Sequence, residues 1–374
     1  MYEPLLGNRE KELLAECIDS GWISSEGPFV SEFEERFSRY IGAQHGVAVC
    51  NGTAALEAAL YGIGVRKGDE VIMPSFTIIS CAVAAIRLGA RPVLVDIDPA
   101  TWNMDTTQLE SKITSRTRAI MPVHIYGLPV DMDPVFECAS DHDLKTVEDA
   151  AEAHGAEYFS RVKGNRWLKC GNMSDVACFS FYANKIVTTG EGGMVVTNDP
   201  SIAARAASYR NLCFHAERRF YHTELCYNFR MTNLQAAVGI AQLERIDDVI
   251  ALRRSFARHY KQRLEHVRGI RCQAEVPYGR SVHWMYAVQL EEALDIDAET
   301  MMERLRSKDI GTRPFFLGLH AQPVLQKLGL FQHERFPYTD QAHKLGLYLP
   351  SGLTLTKQQI DVVCDAVREI AEGG

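Results

Sequence analysis

The sequence has no surplus of basic residues: 40 lysines and arginines stand against 48 aspartates and glutamates, for a formal charge of -8. It therefore offers no basic field for nucleic acid or an anionic membrane surface, and neither is expected as a partner. No uninterrupted apolar run approaches the length of a bilayer span. The opening "MYEPLLGNREKELLAECIDSGW" lacks the basic-then-apolar order of an export signal. The expectation is a chain that stays in the cytoplasm. The 10 cysteines are scattered, with no C-x-x-C pair and no matching histidine spacing, so no metal site is expected and most read as buried reduced thiols. Internal repeats, low-complexity tracts and linkers of disordered composition are also missing.

What is present is ample material for a core: 374 residues, 46% hydrophobic and 24% charged, enough for two domains. From about residue 45 to 200, short apolar runs recur: "HGVAVC", "DEVIMP", "RPVLVDID", "RAIMPVHIY", "LKTVEDA", "DVACFSF" and "GMVVTND". Helix-length segments separate most of them, which predicts an α/β domain with a largely parallel sheet. A long helical stretch is expected from about Thr232 to Glu265, followed by "HWMYAVQL", a helix in "ETMMERLRSKDI" and a last helix from Lys357 to Ala371. The division expected is a large domain over 1–250 and a smaller C-terminal α/β domain over 251–374.

In open parallel sheets ligands sit beyond the carboxyl ends of the strands, and three of those ends carry polar residues. In "VCNGTAALEAAL", Asn51 and Gly52 turn the chain and Thr53 opens a helix. Free backbone N–H groups there suit a phosphate, although Asn-Gly-Thr is also an ordinary capping turn. In "VEDAAEAHGA", Asp149 closes a strand and requires either a cationic partner or a capping role. In "CFSFYANKIVTTGEGGMVVTND", Ser180 ends a strand and Lys185 follows five residues on, against the ordinary alternative of a solvated loop lysine. An anion cradle, a buried carboxylate and a lysine amine are together what pyridoxal 5'-phosphate requires. The turn "GEGG" at 190–193 permits close backbone approach, and Glu191 reads as a surface carboxylate.

With "NGTAALEAAL", "GDEVIMPSFT", "VEDAAEAHGA", "CFSFYANKIVTTGEGGMVVTND" and "YNFRMTNLQAAVGIAQLERID" in this order, the chain resembles the DegT/DnrJ/EryC1/StrS sugar aminotransferases over nearly its whole length. The fold this implies is the pyridoxal phosphate-dependent transferase fold type I, like that of aspartate aminotransferase. Residue by residue, Lys185 matches the Schiff-base lysine and Asp149 the partner of the pyridine nitrogen. Gly52, Thr53 and Ser180 match the phosphate anchors, and Glu152 a position near the cofactor's phenolic oxygen. Asn228 matches an asparagine given to the phosphate by the neighbouring subunit, which implies a homodimer with shared sites. Ile78 departs from the pattern, since it stands where relatives usually carry an aromatic stacked on the cofactor ring.

The resemblance implies transfer of an amino group from an amino acid, L-glutamate, to a keto sugar. Within the family the likeness is to the branch that aminates C4 of a nucleotide-linked 4-keto-6-deoxyhexose. Trp284, Arg313 and His320 are the candidate contacts to that acceptor. Their ordinary alternatives are a core tryptophan, an arginine paired with a local carboxylate and a surface histidine. An acceptor without a nucleotide, such as a keto-cyclitol or an oxidised octulosonate, is the alternative substrate. A cofactor-binding regulator without turnover is the alternative class, which the Lys185 and Asp149 pair argues against.

Overall fold

A computed structural model describes residues 3–215, 217–218 and 220–373. Its main sheet contains β1 (His45–Val49), β2 (Glu70–Pro74), β3 (Arg91–Val95), β4 (Thr117–Ile120) and β5 (Lys145–Asp149). After a hairpin of β6 (Glu157–Ser160) and β7 (Arg166–Lys169), the sheet is completed by β8 (Val176–Ser180) and β9 (Gly193–Thr197). The strand order is β1-β9-β8-β5-β4-β2-β3. Neighbours from β8 to β3 are parallel, and β9 alone runs against the rest. Helices Ser80–Arg87 and Met132–Asp141 make the crossovers between the parallel pairs β2–β3 and β4–β5, and helix Gly52–Gly62 carries the chain across the sheet from β1 to β2. Strands β2 and β9 are buried along their whole length, which is why they read as unbroken apolar runs.

A second, antiparallel sheet has the order β10-β12-β14-β13, from β10 (Ile270–Cys272), β12 (Tyr286–Leu290), β13 (Arg313–Pro314) and β14 (Gly346–Leu349). The short β11 (Gly279–Arg280) instead joins the β6–β7 hairpin. Two apolar clusters form. Helix Ile246–Leu264 contributes Ile246, Val249 and Ile250 to the larger one, and Phe256, Tyr260 and Leu264 to the smaller. The proposed boundary at residue 250 falls within this helix.

The single helix expected from Thr232 to Glu265 is two, Asn233–Leu243 and Ile246–Leu264. No glycine or proline marks the break; Arg245 leaves helical geometry while its guanidinium binds Glu10 and the carbonyl of Leu5. The run "RAIMPVHIY" is a strand only as far as Ile120, beyond which the chain turns through Ile125–Gly127. Eight cysteines are free thiols, six of them buried, as expected of most; Cys213 and Cys226 form a disulfide. Among the described residues no helix is long and apolar enough to cross a membrane.

The end of β5 is held by Glu148. Its carboxylate accepts the N–H groups of Gly171, Met173 and Ser174 at 2.7–3.0 Å and lies 3.0 Å from His124 Nε2. Because His124 Nδ1 accepts from Val130 N–H at 3.1 Å, the ring proton sits on Nε2 and points at Glu148. Donor atoms of His124, Glu148 and Cys170 lie within 4.8 Å of one another, but the nitrogen and carboxylate atoms are already engaged, so the group reads as a structural network. Truncation of a buried carboxylate with four donors leaves them all unsatisfied. Glu148→Ala is therefore expected to lower stability by roughly 3 kcal/mol or more, read as a fall in the urea midpoint; an unchanged midpoint contradicts the role.

Candidate active site

The carboxyl ends of β1, β2, β5 and β8 open onto one cavity of about 340 Å3, lined by residues from all four ends together with Trp284, Phe316 and Tyr348. Eight of the residues singled out from the sequence meet there: Gly52, Thr53, Ile78, Asp149, Glu152, Ser180, Lys185 and Trp284.

One wall is built at the start of helix Gly52–Gly62 and could hold an anion. Asn51 caps helix Gly52–Gly62 by accepting Ala54 N–H at 2.8 Å, so the capping turn and the phosphate reading are compatible. Gly52 and Thr53 line the cavity, and first-turn amides have no acceptor within their own helix. Thr53 Oγ1 donates to Ser80 Oγ at 2.8 Å, which adds a second hydroxyl that sequence reasoning missed. Close approach fixes the glycines: a Cβ on Gly52 would lie 2.8 Å from Ser180 Cβ, and one on Gly193 would lie 2.4 Å from the carbonyl oxygen of Asn51.

The opposite side holds the ionisable groups. Lys185 is 9% exposed, with Nζ 3.6 Å from Glu152 Oε1 and 3.7 Å from the ring centre of Trp284. Burial lowers the pKa of Lys185 despite the attraction of Glu152 and Asp149. Burial likewise pushes Glu152 up to about 7, although Lys185 pulls the other way. Desolvation thus outweighs attraction on both partners and favours their neutral forms. Asp149 is held at both oxygens: Oδ1 accepts Ala151 N–H at 3.0 Å, and Oδ2 accepts the Cys81 thiol at 3.1 Å.

A strained turn sets this wall. Tyr126 and Gly127 have φ of 54° and 90°, and Tyr126 N–H donates to Glu152 Oε2 at 2.8 Å. Trp284 N–H donates to the carbonyl of Tyr126 at 3.0 Å, while its indole N–H donates to Asn184 O at 2.7 Å. One turn therefore fixes the two side chains that flank the lysine. Gly127 has no room for a side chain, since a Cβ would lie 3.0 Å from Glu152 O and from Trp284 N.

Three other expected residues lie elsewhere. Arg313 lines a second cavity of about 400 Å3, which shares Tyr182, Asn184 and Tyr348 with the first. His320 lines neither: it is buried beside Phe336 with Nε2 2.9 Å from Asp340, against the surface alternative. Asn228 is exposed and does not line the cavity of its own chain. Ile78 lines the cavity and is 45% exposed, whereas Glu191, read as a plain surface carboxylate, is exposed at its rim. Cys81, Phe316 and Tyr348 carried no signal of their own in the sequence, since tertiary packing alone brings them to the strand ends.

The cavity of about 340 Å3 beside Gly52, the first-turn amides without helical acceptors, the buried carboxylate and the lysine fit pyridoxal phosphate in size and donor chemistry. Fold and site together define a pyridoxal phosphate-dependent transferase of fold type I. Residues 4–368 match the DegT/DnrJ/EryC1/StrS aminotransferase family, and the chain belongs to it. A GDP-perosamine synthase of Caulobacter vibrioides is 42% identical over 98% of this chain and 96% of its own length. Another from Escherichia coli O157:H7 is 37% identical over 99% and 97%. Among solved structures, DesI in the presence of its TDP-sugar product has a TM-score of 0.88 at 32% identity, covering 99% of this chain and 92% of that one. The enzyme class is accordingly that of a transaminase.

Glu152 gives the cofactor-free protein a pH signature. Its pKa is about 7 in the fold against an ordinary 4.5, so between these values the folded chain keeps a proton that the unfolded chain has released. Its contribution is complete below about 4.5 and is lost as pH rises through about 7. His154 and His283, pushed down to about 3 and about 4 by burial, act in the opposite direction below their ordinary 6.5. Comparison with Glu152→Gln cancels the histidines and leaves the carboxyl together with its coupling to Lys185. The stability of the wild type relative to this variant should fall by about 3 kcal/mol across that window in urea unfolding; a flat difference contradicts the assignment.

Proposed function

We propose that the protein moves an amino group from L-glutamate to C4 of a GDP-linked 4-keto-6-deoxyhexose, as a perosamine-forming enzyme of surface polysaccharide synthesis in the cytoplasm. The end-to-end similarity to two GDP-perosamine synthases, joined to an intact lysine and carboxylate site, carries this reading. When bound, pyridoxal phosphate supplies an aldehyde that takes up the amino group and a ring that draws electrons from the C–H bond being broken.

The chain's own groups do the rest. Gly52, Thr53, Ser80 and Ser180 would hold the phosphate, and Ile78 would supply an aliphatic contact to the ring in place of an aromatic one. Asp149, oriented by Ala151 and Cys81, would hold a proton on the pyridine nitrogen. Glu152 would serve the phenolic oxygen. Lys185, favoured as the neutral amine by burial, takes the proton from the donor's α-carbon and later returns one to C4 of the sugar. Trp284 covers the amine and keeps water from it. Asn228, off its own cavity, completes the phosphate site of a partner subunit in a homodimer.

The direct test is an assay of keto-sugar acceptors with L-glutamate. The GDP-linked 4-keto-6-deoxyhexose should be aminated at C4, and Asp149→Asn should bind cofactor yet turn over about a hundredfold slower or worse, a loss of roughly 3 kcal/mol. Amination of only non-nucleotide acceptors contradicts the substrate; near wild-type turnover in the variant contradicts the role of Asp149.

Shared sites make a second prediction. Once Asn228→Ala alone is found to be severely impaired, it is mixed with Lys185→Ala and the subunits are allowed to exchange. Each heterodimer collects both lesions in one site and leaves the other whole, so about half of the wild-type activity per heterodimer should return. A verified heterodimer without recovered activity shows that Asn228 serves its own chain.

A further inference from the structure

Glu57 is a buried carboxylate that the proposed reaction does not use. It stands in the helix whose first turn lines the reaction cavity, it is 1% exposed, and burial pushes its pKa up. One carboxylate oxygen accepts Tyr209 O–H, and the other lies 3.0 Å from Arg87 Nε. A pair of this kind is a poor source of stability, because desolvation offsets most of the attraction. What it supplies is direction. The guanidinium of Arg87, at the end of helix Ser80–Arg87, is held 4.9 Å from the ring centre of Tyr227.

Tyr227 immediately precedes Asn228, and its ring stacks on that of Phe229 with centres 5.0 Å apart and planes 11° from parallel. Rings two residues apart on one side of an extended chain leave the residue between them on the other. Tyr209, the second partner of Glu57, meets both rings edge-on at 5.8 and 6.1 Å between centres. The backbone on both flanks is fixed as well, since Tyr227 N–H donates to Tyr209 O and Phe229 N–H to Arg210 O. Both groups that hold the Glu57 carboxylate thus bear on the stack, and Asn228 stands exposed beside it.

We infer that Glu57 and Arg87 are positioning residues for Asn228: acting on the Tyr227–Phe229 stack, they fix the segment that presents the Asn228 amide to a cofactor phosphate. An arginine placed only to meet the helix dipole accounts for neither the buried carboxylate nor the ring that it engages. The inference rests on the proposed phosphate role of Asn228, but not on which subunit's phosphate it serves.

The dissociation constant of pyridoxal phosphate, followed by its visible absorbance in the reconstituted enzyme, tests this as a double-mutant cycle without turnover. Asn228→Ala should weaken the cofactor, and Arg87→Ala should weaken it about tenfold when Asn228 is present. With Asn228→Ala already in place, Arg87→Ala should add nothing. A merely structural arginine does not give that result, because a general loss of stability acts with or without Asn228. Arg87→Lys keeps a cation beside Glu57 but loses the planar face on Tyr227, so it should weaken binding about threefold in the same non-additive way. If the thermal midpoint shows that Arg87→Ala does not fold, the lysine variant decides. A folded variant that binds cofactor as the wild type does, or the full loss repeated on top of Asn228→Ala, overturns the inference. Unchanged affinity in Asn228→Ala removes the phosphate role and the inference with it, whereas subunit exchange that assigns Asn228 to its own chain removes only the shared site.

Discussion

An ammonium group taken out of water loses several kcal/mol of hydration unless the surroundings return it. Lys185 is held 9% exposed beneath the Trp284 ring, with one carboxylate 3.6 Å away and that carboxylate itself desolvated. The arrangement is poor as a stabilising ion pair, since burial drives both partners toward neutrality. It is well suited to an amine that must act as a nucleophile and a base near neutral pH. The surrounding structure is what keeps it there. Tyr126 and Gly127 accept left-handed backbone so that one turn can hold Glu152 and Trp284, and Glu148 ties the end of β5 to the chain entering β8.

Sheet polarity supplies the convergence. Five adjacent parallel strands, β8 to β3, direct their carboxyl ends to one edge. The reversed β9 returns the chain so that Gly193 can press against Asn51 behind the phosphate cradle. The residues around the cavities thus come from different parts of the chain. The cradle, Asp149 and Lys185 belong to the main sheet, whereas Arg313 and Tyr348 come from the C-terminal sheet and meet them only through packing.

Much of this was legible in the sequence because the signals were local. Apolar runs gave the seven main strands, with β4 shorter than its run, and residues just past the strand ends included Gly52, Asp149 and Lys185. Features set by distant contacts were not legible. The break at Arg245 follows from Glu10 and Leu5, more than two hundred residues away in sequence, and no local breaker announces it. The β6–β7 hairpin is short and half polar, the disulfide has no spacing signature, and the burial of His320 depends on Phe336 and Asp340. Cys81 looked like one more buried thiol, yet it donates to Asp149.

The central claim is that Lys185 is the amine that carries the cofactor. Protein reconstituted with pyridoxal phosphate, reduced with borohydride and digested, can be mapped by mass spectrometry. The account predicts a single stoichiometric pyridoxyl adduct on Lys185. A stoichiometric adduct on another lysine, or none on a protein saturated with cofactor, would contradict it.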